Sequence, residues 1–153
     1  SYIVNLQGDE PLIKPDSIDA VARNVQEDEK ADISTLIRVL KTEEEINNPN
    51  LVKCVIDNNG FAMYFSRSKI PYERNTGVAT FYGHLGIYGY KREALLKMTS
   101  LPQTPLEKTE SLEQLRALEN GMKIKTSVVD FVPVGIDTLE DLEKFKQIVS
   151  SKL

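Results

Sequence analysis

The sequence predicts an α/β fold whose sheet is mostly parallel and carries one inserted β-hairpin. Strand-like apolar runs alternate with helix-like segments, which is the pattern of strands joined by crossover helices. The run from Asp57 to Gly60 (DNNG) separates two strand-like segments and predicts a tight turn, because asparagine and glycine tolerate positive φ. The chain has 153 residues, 41% of them hydrophobic, which is enough to build one core. We therefore expect a single domain.

The beginning of the chain reads as two strands with a helix between them. Residues 2–7 are largely apolar without strict alternation, which favours a strand in the sheet interior, covered on both faces. Residues 15–28 place apolar side chains at helical spacing, and Asp16 or Ser17 can cap this helix. Residues 32–40 are rich in β-branched side chains, which is typical of a strand.

Turn and capping signals organise the middle of the chain. Thr42 and Glu45 fit a capping box at the start of a short acidic helix. The two strand-like runs of the hairpin occupy residues 51–68. Proline, asparagine and glycine in residues 69–84 indicate an exposed loop.

Strands and helices continue to alternate through the second half. Residues 84–91 form a glycine-containing strand, where small residues allow another group to come close. Residues 92–98 predict a short helix, and a capping box and a terminal glycine delimit a helix over residues 104–121. Residues 122–132 predict a strand, and residues 135–153 predict an amphipathic helix.

Composition excludes several classes of function. The formal net charge is -4 and no cluster of lysine and arginine stands out, so a nucleic-acid partner is not expected. No apolar run approaches the ~20 residues that span a bilayer, and no signal peptide is visible. The single cysteine, Cys54, cannot form an internal disulfide, which fits a reducing cytoplasm. Its apolar surroundings indicate a buried structural thiol.

Two aspartates stand at predicted strand ends, where ligands bind in open α/β sheets. Asp9 follows the first strand, and Asp137 follows the last strand and precedes a helix. Together they could hold Mg²⁺, which prefers a few carboxylate oxygens and completes its shell with water and phosphate. Alternatively, Asp9 caps a turn and Asp137 caps the final helix.

A second group of polar residues could bind a ligand. Arg67 and Arg74 could each clamp a carboxylate or phosphate, or form weak surface pairs. His84, the single histidine, could be catalytic or structural. Glu113 and Gln114 could bind sugar hydroxyls, or lie in solvent. Tyr88 fits a core or interface position better than a ligand contact. The sequence contains no glycine-rich phosphate loop.

Six motifs in fixed order connect the chain to a known family: "NLQGDEP", "NPNLVKCVID", "NNGFAMYFSRSKIPY", "HLGIYGY", "PLEKTESLEQLRALENG" and "GIDTLEDLE". Together they closely resemble the C-terminal part of the 3-deoxy-manno-octulosonate (Kdo) cytidylyltransferases, the CMP-Kdo synthetases of Gram-negative bacteria. The resemblance covers essentially residues 1–153. "QGDEP" is shared with related nucleotidyltransferases, whereas "HLGIYGY" and "SLEQLR" are more specific to the Kdo enzymes.

The resemblance implies a fold, a reaction and a site. The expected fold is a Rossmann-like nucleotidyltransferase sheet in a homodimeric cytoplasmic enzyme of lipopolysaccharide biosynthesis. Its substrates would be CTP and Kdo, its cofactor Mg²⁺ and its products CMP-Kdo and pyrophosphate. Asp9 and Asp137 would be the catalytic, metal-binding residues. The sugar-acid pocket would contain arginine and histidine for the carboxylate and Glu or Gln for hydroxyls: Gln7, Arg67, Arg74, His84, Glu113 and Gln114, with Tyr88 as a weaker candidate.

One departure from the family bears on activity. Its members carry an N-terminal segment before "QGDEP" that holds the CTP phosphates and cytosine, and this segment is not among the 153 residues. We therefore expect residues 1–153 to form a single partial domain, an incomplete sheet that is inactive by itself. Two alternatives stay open: a cytidylyltransferase for another 2-keto sugar acid, such as 8-amino-Kdo or a sialic acid, and a non-catalytic sugar-acid binding or dimerisation module.

Overall fold

The computed structural model describes residues 2–6 and 15–130. Within these ranges no helix is long and apolar enough to cross a membrane. The helix predicted over residues 135–153 lies outside them. The elements, in chain order, are β1 (Tyr2–Leu6), α1 (Pro15–Glu27), β2 (Ile33–Val39), α2 (Glu43–Asn47), β3 (Lys53–Ile56), β4 (Ala62–Ser66), β5 (Tyr82–Lys91), α3 (Arg92–Ser100), α4 (Pro105–Glu110), α5 (Gln114–Glu119) and β6 (Ile124–Val128).

The strands form one mixed sheet, so the α/β class is confirmed but the prediction of a mostly parallel sheet is wrong. The strand order is β4-β3-β5-β2-β6, and β1 pairs with β5. Among the described strands, β2 and β6 are parallel, and the other four pairings are antiparallel. The reason is that a hairpin and the long loop at residues 67–81 return β5 antiparallel to β2 and β3. Alternation of strands and helices predicts parallel pairing only where a helix makes the crossover.

β5 lies at the centre of the sheet, and its second edge is shared by two strands. Along one edge it pairs with β2. Along the other, β3 pairs with residues 82–83 and β1 with residues 87–91, so that residues 84–86 lie between the two ladders. The prediction that β1 is covered on both faces is wrong, because Tyr2 and Ile3 are 47% and 40% exposed.

Helices cover both faces of the sheet. On one face, Val21 of α1 packs against Leu36, Leu85 and Ile87. On the other, residues of α3 and of the α4–α5 segment form the larger cluster, which includes Ala94, Met98, Leu112, Leu115 and Ile124. Because side chains alternate along a strand, Leu85 and Ile87 of β5 face α1, whereas residues 84, 88 and 90 face α3–α5.

Two glycine predictions are confirmed at the level of backbone geometry. Gly60 closes the β3–β4 hairpin with a φ of 81°, and the carboxylate of Asp57 accepts hydrogen bonds from the N–H groups of Asn59 and Phe61. Gly89 lies where α1 crosses β5: a Cβ atom there would sit 2.5 Å from Ser34 Oγ. Capping by Asp16 or Ser17 is not observed, because α1 begins at Pro15 and both residues lie in its first turn.

The single helix predicted over residues 104–121 is two helices. α4 ends at Glu110 and is followed by Ser111, which adopts the left-handed conformation with a φ of 55°, and α5 begins at Gln114. Serine rarely adopts this conformation, so surrounding contacts must support it. The break lets Leu112 enter the core, where it is 5% exposed. It also turns Glu113 and Gln114 toward the sheet edge at residues 84–86.

Candidate functional site

A cavity of about 650 Å³ opens where β1 and β3 diverge along β5. It is the place to which the fold brings most of the predicted sugar-acid residues. Five of them line the cavity together: Arg67, His84, Tyr88, Glu113 and Gln114. Asn5 of β1, two residues before Gln7, also lines it.

Three separate elements supply these side chains. His84 and Tyr88 come from the same face of β5, four residues apart. Glu113 and Gln114 come from the start of α5, directly after the break at Ser111. Arg67 follows the last residue of β4, where the strand ends beside the α4–α5 connection.

The Arg67 guanidinium binds the break between α4 and α5. Its Nε donates to the carbonyl of Glu110 at 2.7 Å, its Nη2 to the carbonyl of Ser111 at 3.2 Å and its Nη1 to the carbonyl of Pro49 at 3.1 Å. The bonds to Glu110 and Ser111 satisfy carbonyls that α4 leaves unpaired at its C-terminus, and the bond to Pro49 reaches the connection between α2 and β3. A guanidinium carries five N–H groups. Three of them bond to these carbonyls, so two bond to no described residue and could bind a ligand.

Glu110 completes this connection from the other side. Its carboxylate accepts hydrogen bonds from the Ser66 hydroxyl and from the Arg67 N–H, both at 2.8 Å. Burial raises the pKa of Glu110, but these donors outweigh burial and the net pKa lies below its ordinary value. Glu110 is therefore a structural anion at neutral pH, and it raises the pKa of Tyr64, already raised by burial, to about 12.

His84 is enclosed between polar and aromatic neighbours. Its Nε2 lies 2.8 Å from Thr35 Oγ1, and its Nδ1 lies 3.5 Å from the amide nitrogen of Gln114. The rings of Phe65 and Tyr88 contact it edge-on. Burial lowers the pKa of His84 to about 3, so the ring is neutral at pH 7. A neutral imidazole suits a hydroxyl group better than a carboxylate.

Positively and negatively charged side chains both line the cavity. Two arginines line it: Arg67, which follows β4, and Arg38 of β2, whose Nη2 forms a 2.7 Å ion pair with Glu45. Glu113 lies on the α5 side, exposed to the cavity. Burial raises the pKa of Tyr90 to about 12, and the charge of Glu113 acts in the same direction. The lining thus offers guanidinium groups for an anionic group and carboxylate and amide groups for hydroxyl groups.

Of the predicted site residues that the structure describes, Arg74 is not brought into the cavity. Arg74 is exposed in the loop that precedes β5 and does not line the cavity. Gln7, Asp9 and Asp137 lie outside the described residues. Within residues 2–6 and 15–130, no group of three or more His, Cys, Asp or Glu side chains could hold a metal ion. The roles of these residues and of Mg²⁺ stay predictions.

The structure adds polar residues that the sequence analysis missed. Asn5, Arg38 and Asn50 line the cavity, and Thr35 contacts His84 from beneath it. Arg38 and Thr35 lie within an apolar strand pattern that gives no sign of a ligand site. The position of Asn5, two residues before the predicted site residue Gln7, was the one available signal.

Cys54 is confirmed as a buried structural thiol. It is 1% exposed within the larger core cluster. Burial raises the pKa of its thiol to about 12, so the nucleophilic thiolate is absent at neutral pH. Cys54 has no part in the chemistry of the cavity.

Comparison with known proteins defines the class of this protein. Residues 1–124 match the family model described as Cytidylyltransferase. That match covers most of the chain, and the chain belongs to the cytidylyltransferase family. The same three-dimensional arrangement occurs in a solved CMP:2-keto-3-deoxy-manno-octonic acid synthetase complexed with CTP. That structure has a TM-score of 0.93 and 37% identity over 99% of this chain and 63% of the other.

Curated relatives are more specific about the kind of cytidylyltransferase. The chain is 48% identical to the 3-deoxy-manno-octulosonate cytidylyltransferase of Thermodesulfovibrio yellowstonii, over 94% of this chain and 58% of the relative. It is 48% identical to that of Fusobacterium nucleatum, over 93% and 58%. It is 44% identical to that of Chloroherpeton thalassium, over 99% and 63%. The chain thus spans about three fifths of the length of these relatives.

Proposed function

We propose that this protein takes part in transferring CMP from CTP to Kdo, and that the cavity at residues 84–86 binds the sugar acid. The observation that carries the proposal is the meeting of Arg67, His84, Glu113 and Gln114 in one cavity. The relatives named as Kdo cytidylyltransferases support the identity of the substrates.

The chemistry of the cavity suits a sugar acid. Kdo combines one carboxylate with several hydroxyl groups, and the cavity lining combines arginine side chains with carboxylate, amide and imidazole groups. The two N–H groups of Arg67 that bond to no described residue can bind the carboxylate, because a guanidinium presents paired donors. Glu113 and Gln114 can bind hydroxyl groups, which both donate and accept hydrogen bonds.

The proposed reaction requires positioning and charge stabilisation rather than a protein nucleophile. The Kdo 2-hydroxyl oxygen loses its proton to solvent and forms a bond to the α-phosphorus of CTP, the bond from that phosphorus to the bridging oxygen breaks, and pyrophosphate leaves. The residues of the cavity hold the sugar in line for this displacement. Mg²⁺, when bound, would activate the hydroxyl and neutralise phosphate charge, and we propose Asp9 and Asp137 as its ligands. Their carboxylate oxygens are the hard donors that this ion prefers.

We also propose a homodimer. The apolar side chains around the start of α5 are not available to a partner, because Leu112 and Leu115 pack in the core of their own chain. Exposed apolar side chains lie instead on β4 and the following loop, where Met63, Tyr72 and Val78 are 63%, 89% and 78% exposed. Sedimentation at micromolar concentration tests the proposal, and a monomer would count against it.

Pyrophosphate release tests the proposed reaction. The protein with its complete chain would be incubated with CTP, Mg²⁺ and one of three sugar acids: Kdo, 8-amino-Kdo or N-acetylneuraminate. Kdo is expected to be the preferred substrate, in a cytoplasmic step of lipopolysaccharide biosynthesis. Faster turnover of another sugar acid would show that this acid, and not Kdo, is the preferred substrate. Binding of Kdo without turnover or affinity for CTP would favour a non-catalytic binding module.

A further inference from the structure

The hydroxyl of Thr35 lies at the centre of an unusual set of contacts beneath the cavity. Thr35 is fully buried in β2. Its Oγ1 lies 2.7 Å from the carbonyl oxygen of Ile87, 3.2 Å from that of Leu85 and 2.8 Å from Nε2 of His84. A β-bulge brings these groups together: Thr35 pairs with Tyr88, but the next residue of β2 pairs with Leu85.

The position of protons in this cluster follows from the donors and acceptors. A threonine hydroxyl has one proton to donate, and carbonyl oxygens can only accept. The 2.7 Å contact to Ile87 therefore takes the Thr35 proton, because two oxygen lone pairs at that distance would repel each other. The hydroxyl oxygen must then accept from His84, which places the single proton of the neutral ring on Nε2.

The other ring nitrogen, Nδ1, therefore carries no proton and is a hydrogen-bond acceptor that faces the cavity. Within the described part of the chain, its hydrogen-bond partner is the Gln114 amide, and the 3.5 Å distance is at the limit of a hydrogen bond. Both His84 and Gln114 line the cavity. A donor from a ligand would therefore satisfy Nδ1 better than the protein does.

We propose that Thr35 is a positioning residue that holds His84 as its Nε2–H tautomer and thereby presents Nδ1 as an acceptor for a hydroxyl group of the sugar. The second half of this inference rests on the proposed function, whereas the tautomer does not depend on any ligand. His84 then distinguishes hydroxyl groups from carboxylates, because an acceptor nitrogen repels an anionic oxygen. Arg67 is left as the group that selects the carboxylate.

Long-range ¹H–¹⁵N NMR of the histidine ring reads the tautomer directly. The protein with its complete chain would be labelled on histidine, and the His84 signals identified by their loss in His84→Gln. At pH 7 we expect one protonated nitrogen, Nε2, and one imine-type nitrogen, Nδ1. Addition of Kdo should shift the Nδ1 signal upfield, because a donated hydrogen bond shields an imine nitrogen, while the Nε2 signal stays in place.

Two variants of Thr35 separate positioning from simple stability. Thr35→Val keeps the branched shape without the hydroxyl. The two ring-nitrogen signals of His84 should then be averaged between its two tautomers. Kdo binding should be about three- to tenfold weaker, which is the effect of one net hydrogen bond. Thr35→Ser should restore both. Thr99→Val, an exposed threonine on α3, is the matched control and should change neither.

The outcomes are distinguishable. An Nδ1–H tautomer or a charged ring in the unmodified protein would overturn the inference without requiring any variant to fold. Kdo binding that leaves the Nδ1 signal unchanged would overturn the role toward the sugar, while the proposed function stands. Absence of Kdo binding would contradict both the proposed function and the role of His84 toward the sugar. The ligand-free spectrum would still show whether Thr35 holds His84 as its Nε2–H tautomer.

Discussion

The Nε atom of Arg67 lies 2.7 Å from the carbonyl oxygen of Glu110, the last residue of α4. The backbone N–H of Arg67 meanwhile donates to the carboxylate of the same glutamate at 2.8 Å. Arg67 and Glu110 thus bind each other through both backbone and side chain. The pairing fixes the end of β4 to the end of α4, and so fixes the position from which Glu113 and Gln114 enter the cavity.

Replacing Arg67 should therefore affect binding and local structure together. Arg67→Ala removes three hydrogen bonds to carbonyls and should weaken Kdo binding at least tenfold, measured by calorimetry. Arg67→Lys should not restore binding, because an ammonium cannot reproduce the planar set of donors. Hydrogen exchange of residues 110–115 should become faster in both variants.

Arg23→Ala provides the control for the loss of one positive charge, since Arg23 is exposed on α1. It should leave both measurements unchanged. Full binding by Arg67→Lys, or protection of residues 110–115 in Arg67→Ala, would contradict the anchoring role.

The stability of the fold should depend on pH through His84. Its pKa is about 3 in the folded protein and about 6.5 when unfolded, so the unfolded chain binds a proton that the folded chain excludes. Stability therefore falls as pH drops below about 6.5. From pH 7 to pH 5 the loss in free energy of unfolding should be about 2 kcal/mol.

Denaturant titrations of the native protein and of His84→Gln at pH 7 and pH 5 measure this contribution. The difference between the two proteins isolates the histidine from the carboxylates that titrate at lower pH. An equal pH dependence in both proteins would show that His84 is protonated normally in the folded state.

Gly89 is expected to be intolerant of any side chain. A Cβ atom at Gly89 would lie 2.5 Å from Ser34 Oγ, 2.7 Å from Val21 Cγ1 and 2.9 Å from the Val21 carbonyl. Since one of these atoms is backbone, α1 must move away from the sheet. Gly89→Ala should lower the free energy of unfolding by about 3 kcal/mol.

Gly83→Ala is the matched substitution on the same strand. Its shortest contact, at 2.7 Å, is with Cδ2 of Leu40, the end of a flexible side chain that can rotate. The loss should be about 1 kcal/mol or less. Thermal or denaturant unfolding compares the two, and equal losses would argue against the close approach of α1.

Glu107 and Arg116 form the one largely buried ion pair of the α4–α5 segment as the structure describes it. Their contacts are 2.6 Å and 2.9 Å, and their side chains are 6% and 14% exposed. Glu107 also accepts from the Thr104 N–H at 3.2 Å, which matches one half of the predicted capping box. Glu107→Gln should cost about 3 kcal/mol in denaturant unfolding, because it leaves Arg116 without its counter-charge.

The hydrogen bonds from Arg116 lower the pKa of Glu107 below its ordinary value. The stabilisation is present above the unfolded pKa near 4.5 and is lost as pH falls through the lower folded pKa. Glu43→Gln is the control, since Glu43 is 76% exposed and 3.9 Å from Lys69. It should cost less than about 1 kcal/mol. Similar losses for both substitutions would contradict the importance of burial.

The elements that could be predicted from the sequence are those defined by local signals. The Asp57–Gly60 turn, the cap at Thr42 and the apolar spacing of α1 depend on neighbouring residues, and all three are observed. Strand direction is a long-range property. It depends on how the loop at residues 67–81 returns to the sheet, and no residue in that loop encodes it.

The sequence predicted which residues form the candidate site but not what each of them does there. Family motifs pointed to Arg67, His84 and Gln114, which the fold brings to one cavity. The left-handed Ser111 that divides α4 from α5 had no sequence signal, because glycine is the usual residue in that conformation. The contact of Thr35 with His84 depends on a β-bulge, which side-chain alternation alone does not reveal.

Calorimetric titration of Kdo into the protein with its complete chain tests the central claim most directly. We predict one Kdo site per chain, at least tenfold weaker in Gln114→Leu, which keeps the size of the side chain but removes its hydrogen-bonding groups. Binding to Gln103→Leu, an exposed glutamine ahead of α4, should be unchanged. No Kdo binding to the native protein, or equal affinity in Gln114→Leu, would contradict the assignment of this cavity as the sugar-acid site.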